Sequence, residues 1–292
     1  MMRKTGNLIP AVACLRGARM LSLVAATLAL SLAVPAAAQQ VFPSPQAAAD
    51  ALGDAIARSD GDALQRVLGR QYQLLVPQGS IDQDDVYDFL GAWARHHAVQ
   101  PEGDNRARIA VGESGWTFPV PLARQKGGWQ FDLPAGQQEV RRRRLGRNEL
   151  VTMETLLQLA DAQQRYAEQV GQGRYARRLI STPGKTDGLY WPADSEQDAS
   201  PLGPDALAMA PETPAADAFY GYHYRILPAA PGSDGGYGLV AWPARYGDTG
   251  VHTFLLGSDR VFYERDLGSG TASRARAMRS FSPQGWKRVA DR

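Results

Sequence analysis

Cysteine is almost missing from this 292-residue chain. The single copy, Cys14, sits in the N-terminal segment, so disulfides, thiolate nucleophiles and cysteine metal sites are excluded for everything that follows it. Histidine is nearly as scarce, with four copies: His96, His97, His223 and His252. No spacing of His, Asp and Glu matches a metal site, and we expect neither metal nor cofactor. The chain also lacks a Gly-x-Ser-x-Gly nucleophile elbow. Lysine is rare, four of the 32 basic residues, which we read as a coding bias toward arginine rather than as function. No apolar run reaches the ~20 residues that a membrane-spanning helix needs.

What the chain does have begins at its N-terminus. Arg3, Lys4, Arg16 and Arg19 precede an apolar run from Leu21 to Val34, and Ala36-Ala37-Ala38 follows. A basic region, a short apolar region and an A-x-A site make residues 1–38 a secretory signal peptide. We therefore expect a periplasmic or extracellular protein, cleaved near Ala38, with no stable membrane anchor after cleavage. Cleavage would remove four basic residues and no acidic one, leaving 28 against 30 and a net charge of −2. That balance gives no reason to expect a nucleic-acid partner.

With 44% hydrophobic residues, including six Trp, 11 Tyr and eight Phe, the rest can build packed cores without staples. Ser44-Pro45 opens a helix, followed by Ala48, Ala51, Leu52, Ala55 and Ile56 on one face. A second helix starts at Asp62 and stops at Gly69. Tyr72 to Val76 reads as a short strand or extended turn. Ser80 with Gln83 forms a capping box for a third helix carrying Val86, Phe89, Leu90 and Trp93, which His96 and His97 end. The period then falls to two: Ala107, Ile109, Val111; Trp116, Phe118, Val120; Trp129, Phe131. Pro134-Ala135-Gly136 ends this unit. Glu139 to Arg147, with four consecutive arginines from Arg141, reads as a charged connector. Asn148 caps a long helix, and residues 181–217, rich in Pro, Gly, Ser and Asp, form an irregular loop. Strands follow around Tyr222–Ile226, Tyr237–Trp242, Val251–Leu256 and Val261–Glu264.

The expected fold is α+β. A domain over 42–135 has N-terminal helices packed on a curved antiparallel sheet, in the cystatin/NTF2-like manner. An Arg-rich connector over 136–147 leads to a second α+β domain over 148–292, a helix plus an antiparallel meander.

Several strings resemble the bacterial family called domain of unknown function 2950. They are Arg144-Leu145-Gly146-Arg147-Asn148-Glu149-Leu150, the run Ser181-Thr182-Pro183-Gly184-Lys185-Thr186-Asp187-Gly188-Leu189-Tyr190-Trp191-Pro192, and Ser200-Pro201-Leu202-Gly203-Pro204. Tyr246-Gly247-Asp248-Thr249-Gly250-Val251 and Tyr263-Glu264-Arg265-Asp266-Leu267-Gly268 extend it over the whole mature chain. The resemblance implies an exported bacterial protein without an assigned activity, and it supplies no catalytic residues. From Asn148 onward the chain is also partly similar to pilin-like globular heads, through Ala162-Gln163 and Tyr166-Ala167, but no long apolar helix precedes Asn148.

Each candidate for chemistry has a plainer reading. Gly184-Lys185-Thr186 ends like a phosphate-binding loop, but Leu179 stands where that loop needs a glycine, and turn chemistry accounts for it. Asp82, Asp84 and Asp85 lack the alternation of a calcium loop and suit the first turn of a helix. His96 and His97 are neighbours on a helix and cannot chelate one ion, while His223 and His252 could pair across a sheet. Arg141 to Arg144 is favoured as a solvated or paired segment. Trp93, Trp116 and Trp129 could line a pocket at the open end of a cystatin-like cone, and Tyr190 with Trp191 are too apolar for a floating loop. The leading functional expectation is a noncatalytic binding or assembly module whose partner is an envelope protein or a small ligand. The alternative is a periplasmic hydrolase with a dispersed Ser/His/Asp site.

Overall fold

Ser44 caps the first helix as its position predicts: its hydroxyl accepts the N–H of Ala47 at 3.1 Å, and α1 runs Pro45–Ala57 with Ala48, Ala49, Leu52 and Ala55 buried. The computed structural model describes residues 39–75, 81–193, 195, 198–229 and 235–290. The expected signal peptide, residues 1–38, lies outside the described residues, as does Ser80. Asp60 caps α2, Gly61–Leu68, through the N–H of Ala63. Tyr72–Leu74 forms a 3-10 turn, neither the strand nor the extended turn expected there, and Val76 lies outside the described residues. Asp82 and Asp85 cap α3, Gln83–Arg95, by accepting each other's backbone N–H at 2.9 and 3.1 Å, so the acidic cluster is a capping device.

α3 stops before both histidines. His96 is extended and His97 already belongs to β1, His97–Pro101, which corrects the expected helical end. β2, Arg106–Val111, β3, Leu122–Gln125, and β4, Gly128–Phe131, complete an antiparallel sheet in sequential order. The expected strand through Trp116, Phe118 and Val120 reduces to one isolated bridge between Thr117 and Ala110. Pro119 and Pro121 flank Val120 and lack the N–H groups that a ladder needs. Leu52 of α1, Ile109 of β2, Val120 and Leu122 are fully buried between helices and sheet.

The largest departure from expectation is α4, Leu133–Gln169, a continuous helix of 37 residues and about 55 Å at 1.5 Å per residue. Asp132 caps it through the N–H of Ala135 at 3.1 Å, with proline in the first turn. Pro134-Ala135-Gly136 is therefore a start and not a stop. The Arg-rich stretch of 136–147 is helical, and Asn148 lies in mid-helix rather than capping it. Leu133, Gly136 and Val140 face the first core. From Asn148 the buried positions include Thr152, Thr155, Leu156, Leu159, Gln163 and Tyr166, a helical stripe facing the second sheet.

That sheet contains β5, Tyr222–Pro228, β6, Tyr237–Pro243, β7, His252–Gly257, β8, Phe262–Asp266, and the short β9, Lys287–Arg288, antiparallel and in order. Tyr222, Tyr224, Leu239, Ala241, Phe254 and Leu256 pack toward α4. Leu227, Val240, Trp242 and Leu255 form a second core on the other face with Ala275 of α6, Thr271–Ala277. β6 separates His223 from His252, and the register sets them opposite Trp242 and Asp266, so the expected histidine pairing across the sheet does not occur. Both sheets with their helices make the protein α+β. Among the described residues no helix is long and apolar enough to cross a membrane.

Polar groups of α4 grip the turn before β7. Arg141 Nε donates to Gly247 O at 3.0 Å, Arg144 pairs with Asp248 at 2.6 Å, and buried Asn148 donates to Thr249 O at 2.9 Å. Glu149 Oε1 accepts the N–H groups of Val251 and His252 at 2.9 and 3.0 Å, and Oε2 lies 3.1 Å from His252 Nδ1. Nearly three turns before Glu149, Glu139 holds Arg142 and Arg143 at 2.8 and 2.7 Å, and Arg143 continues to Thr117 O at 2.7 Å.

Two outcomes follow from α4. Trypsin should leave Arg141 to Arg144 uncut while the protein is folded, because a helical backbone does not fit a protease cleft. Early cleavage there would contradict a continuous helix. The hydrogen bond from Arg142, opposed by burial and assisted by Arg143, lowers the Glu139 carboxyl from 4.5 to about 2. A depressed folded pKa contributes stability that is complete above about 4.5 and vanishes as pH falls through about 2. Urea midpoints from pH 2 to 5 should therefore rise less steeply in Glu139→Gln than in the parent, and identical slopes would refute the pairing.

Candidate functional site

Where α4 ends, the chain is turned back by a short glycine segment. The N–H of Gly171 bonds Tyr166 O at 2.7 Å and that of Gly173 bonds Ala167 O at 2.8 Å, which closes the helix C-terminus. A Cβ on Gly171 would meet the Arg174 carbonyl and the Tyr166 ring, so only glycine allows this approach. The returning segment is then fixed by one buried side chain. Gln163 donates to Ala176 O at 2.9 Å and accepts from Ala176 N at 2.8 Å, doing the work of a neighbouring strand with its amide.

With Ala176 and Leu179 anchored inward, Arg174, Arg177 and Arg178 are left exposed. They line a cleft of about 820 Å³ whose other wall is the end of β5 and the start of β6, Ile226 to Ala229 and Tyr237. Tyr175 meets Tyr237 edge-on, ring centroids 4.8 Å apart. Tyr166 donates its hydroxyl to Thr186 O at 3.0 Å. Burial pushes the Tyr237 phenol up to about 12 and raises that of Tyr166, so both stay neutral at physiological pH. Asp187 also lines the cleft, and the Thr182 backbone N–H and hydroxyl, at 2.7 and 2.9 Å, hold its carboxyl below the usual range. Three guanidinium groups thus face one carboxylate, and none of the three makes a salt bridge among the described residues. Such a surface suits an anion with an apolar body.

The irregular loop is docked beside this cleft. Thr182 to Lys185 is a tight turn, Lys185 N bonding Thr182 O at 2.9 Å, with Pro183 second and Gly184 at φ 74° third, so Gly184-Lys185-Thr186 is turn chemistry. Tyr190 pairs with Leu179 and Ser181, its N–H and C=O at 2.9 and 2.8 Å from their partners. Leu189 is fully buried. Trp191 packs half-buried against the α4 core and donates Nε1 to Asp198 O at 2.8 Å. A short helix, α5, Ala206–Met209, interrupts the loop farther on.

The tryptophans expected to share a pocket do not. Trp93 stacks on His97 at 4.4 Å between α3 and β1, and Trp129 bridges to Phe42 at the edge of β4. Trp116 alone lines a cleft of about 490 Å³, together with Phe89 and Arg95. Its ring lies 5.7 Å from the Arg143 guanidinium. The residues around the large cleft were not legible as a site, because Arg174, Arg177 and Arg178 have no motif spacing and meet Tyr237 only in the fold. The nearest signal was Gly171-x-Gly173, which marks a chain reversal just before them.

For an acid–base site, Glu149 and His252 are the one carboxylate–imidazole pair hydrogen-bonded among the described residues. No Ser or Thr hydroxyl there bonds either His252 or His223, whose Nδ1 lies 2.9 Å from Ala210 O. No group of three or more His, Cys, Asp or Glu among the described residues could hold a metal ion.

Replacing Trp191 by Ala should lower stability by about 2 kcal/mol, since a half-buried indole and its hydrogen bond are lost. Replacing Tyr190 should cost less, because its backbone pairing survives. Thermal unfolding tests both, and an unchanged melting temperature in both variants would mean that the loop is not docked.

Neither the curated proteins nor the solved structures offer a match, so the partial likeness to pilin-like heads has no counterpart there. One family model does match, and it runs from residue 39 to residue 289, nearly the whole described chain. On that match the chain belongs to the family described as "Protein of unknown function (DUF2950)".

Proposed function

We propose that the protein is an exported, noncatalytic binding module of the bacterial envelope, and that its ligand is an anion with an apolar or aromatic body, held in the cleft at the end of α4. The observation that carries this reading is the set Arg174, Arg177 and Arg178, which line one concavity with tyrosines in its wall and make no salt bridges among the described residues. Arginine forks match carboxylate, sulfonate and phosphate oxygens in pairs, and an aromatic floor contributes contact area at low entropic cost. Export rests on the pattern of residues 1–38: basic residues, a short apolar run and a small-residue site. The hydrolase alternative would be built on Glu149 and His252, but Glu149 Oε1 is engaged by the backbone N–H groups of Val251 and His252, which favours a structural task for that pair.

The fluorescent anion anilinonaphthalene sulfonate, a sulfonate on an aromatic body, tests the cleft directly. Native protein should bind it saturably, and Arg174→Gln/Arg177→Gln/Arg178→Gln should weaken binding by about 2 kcal/mol, roughly 30-fold in Kd. The melting temperature of the triple variant should stay near the parent's, because the three guanidiniums are exposed. Equal affinity in parent and variant would remove the cleft as the binding site.

A further inference from the structure

A second concavity lies far along α4 from the first, and two of the strings that carry the family resemblance, 144–150 and 246–251, meet there. Its walls are the middle turn of α4 at Arg144, Arg147 and Asn148, the stretch from Ala215 to Gly221, and the turn from Arg245 to Thr249. Its volume is about 310 Å³, room for a small molecule rather than a polymer. Charge and backbone conformation single it out independently.

Arg144 and Arg245 share one carboxylate, Asp248, whose two oxygens receive them at 2.6 and 2.9 Å. Arg147 lines the same concavity with no hydrogen bond or salt bridge among the described residues. Three positive charges therefore face one negative charge. Asp248 fixes two of the guanidiniums in place, so an incoming oxyanion would find part of its partner set already ordered.

The second observation concerns Tyr220. Its backbone lies in the left-handed region, φ 47° and ψ 33°, which costs a residue with a Cβ roughly 1–2 kcal/mol. Its side chain is half exposed at the mouth of the concavity, where Phe219 packs edge-on against it at 4.9 Å. Glycine would satisfy this backbone without strain. The chain instead places a phenol there, which offers one O–H donor and an apolar face next to the arginines.

We propose that this concavity is a second ligand site, distinct from the cleft at the end of α4, which takes a small molecule bearing a phosphate or carboxylate group. Arg147 makes the principal charged contact, Arg144 and Arg245 flank it, and Tyr220 covers the bound group.

Melting temperatures of the full protein, measured with inorganic phosphate and with citrate at matched ionic strength, test the site, since a ligand that binds only the folded state raises the melting point. The parent should show a saturable rise with at least one of the two anions, and the stronger rise identifies the preferred oxyanion. Arg147→Gln should abolish the rise with little change in the baseline. Tyr220→Gly should raise the baseline, by relief of strain, while reducing the rise. Arg177→Gln, in the other cleft, should leave the rise intact. A rise that persists in both Arg147→Gln and Tyr220→Gly, or no rise in the parent with either anion, overturns the proposal. A baseline that falls in Tyr220→Gly would show that the phenol serves packing instead, and would overturn its role as a covering group.

Discussion

The Glu149 carboxylate receives two backbone N–H groups at the entry to β7, and with Asn148 and Arg144 it fastens the middle of α4 to the turn between β6 and β7. This attachment lets one helix serve two cores. Ahead of it, Leu133, Gly136 and Val140 belong to the packing of the first sheet; beyond it, Leu156, Leu159 and Tyr166 belong to the second. Positions 140 and 156 are sixteen residues apart, a rotation of about 160° at 3.6 residues per turn, so the two stripes face different sides of the same rod. Loss of this partly buried carboxylate would leave two backbone N–H groups unpaired, each costing about 1–3 kcal/mol. The orientation of everything hung on α4, including both concavities, depends on that joint.

Arginine does here part of what disulfides do in cysteine-rich proteins. Arg143 reaches Thr117 O, Arg165 reaches Pro201 O, Arg225 reaches Ala275 O and Met278 O, and Arg276 reaches Pro211 O. Each ties an irregular segment to an element distant in sequence through a guanidinium donating to a backbone carbonyl. The fork geometry, with five donors and no acceptor, suits this task better than lysine would. The arginine excess is thus structural as well as compositional, and it sharpens the contrast with Arg174, Arg177 and Arg178, which line a cleft and tie nothing down among the described residues.

Much of the architecture was legible because local signals and tertiary packing agreed. Ser44-Pro45 marked α1, and the alternation of Tyr222, Tyr224 and Ile226 marked β5, since side chains on successive residues truly face opposite layers. Reading failed where one segment carried two instructions. Pro134 and Gly136 look like a terminator, yet Asp132 before them is a cap, and the glycine allows Val120 to come close. The Arg run has no apolar period because its partners are carbonyls and carboxylates rather than a core. Trp116 to Val120 alternates like a strand, but its flanking prolines deny it a ladder. Neither concavity could be read, because each joins side chains from segments about 30 to 100 residues apart, a distance across which no local pattern speaks.

The shared helix also sets an order of events during synthesis. The first core can close as soon as the opening turns of α4 have emerged, since Leu133 is the last buried apolar side chain in it. The later turns then carry Leu156, Leu159 and Tyr166 with only the docked loop segments around Leu179 and Leu189 to cover them until β5 to β8 have been made. For that interval the chain is a finished module trailing an amphipathic helix with a partly bare apolar stripe, the kind of surface that chaperones hold and that aggregates when they do not.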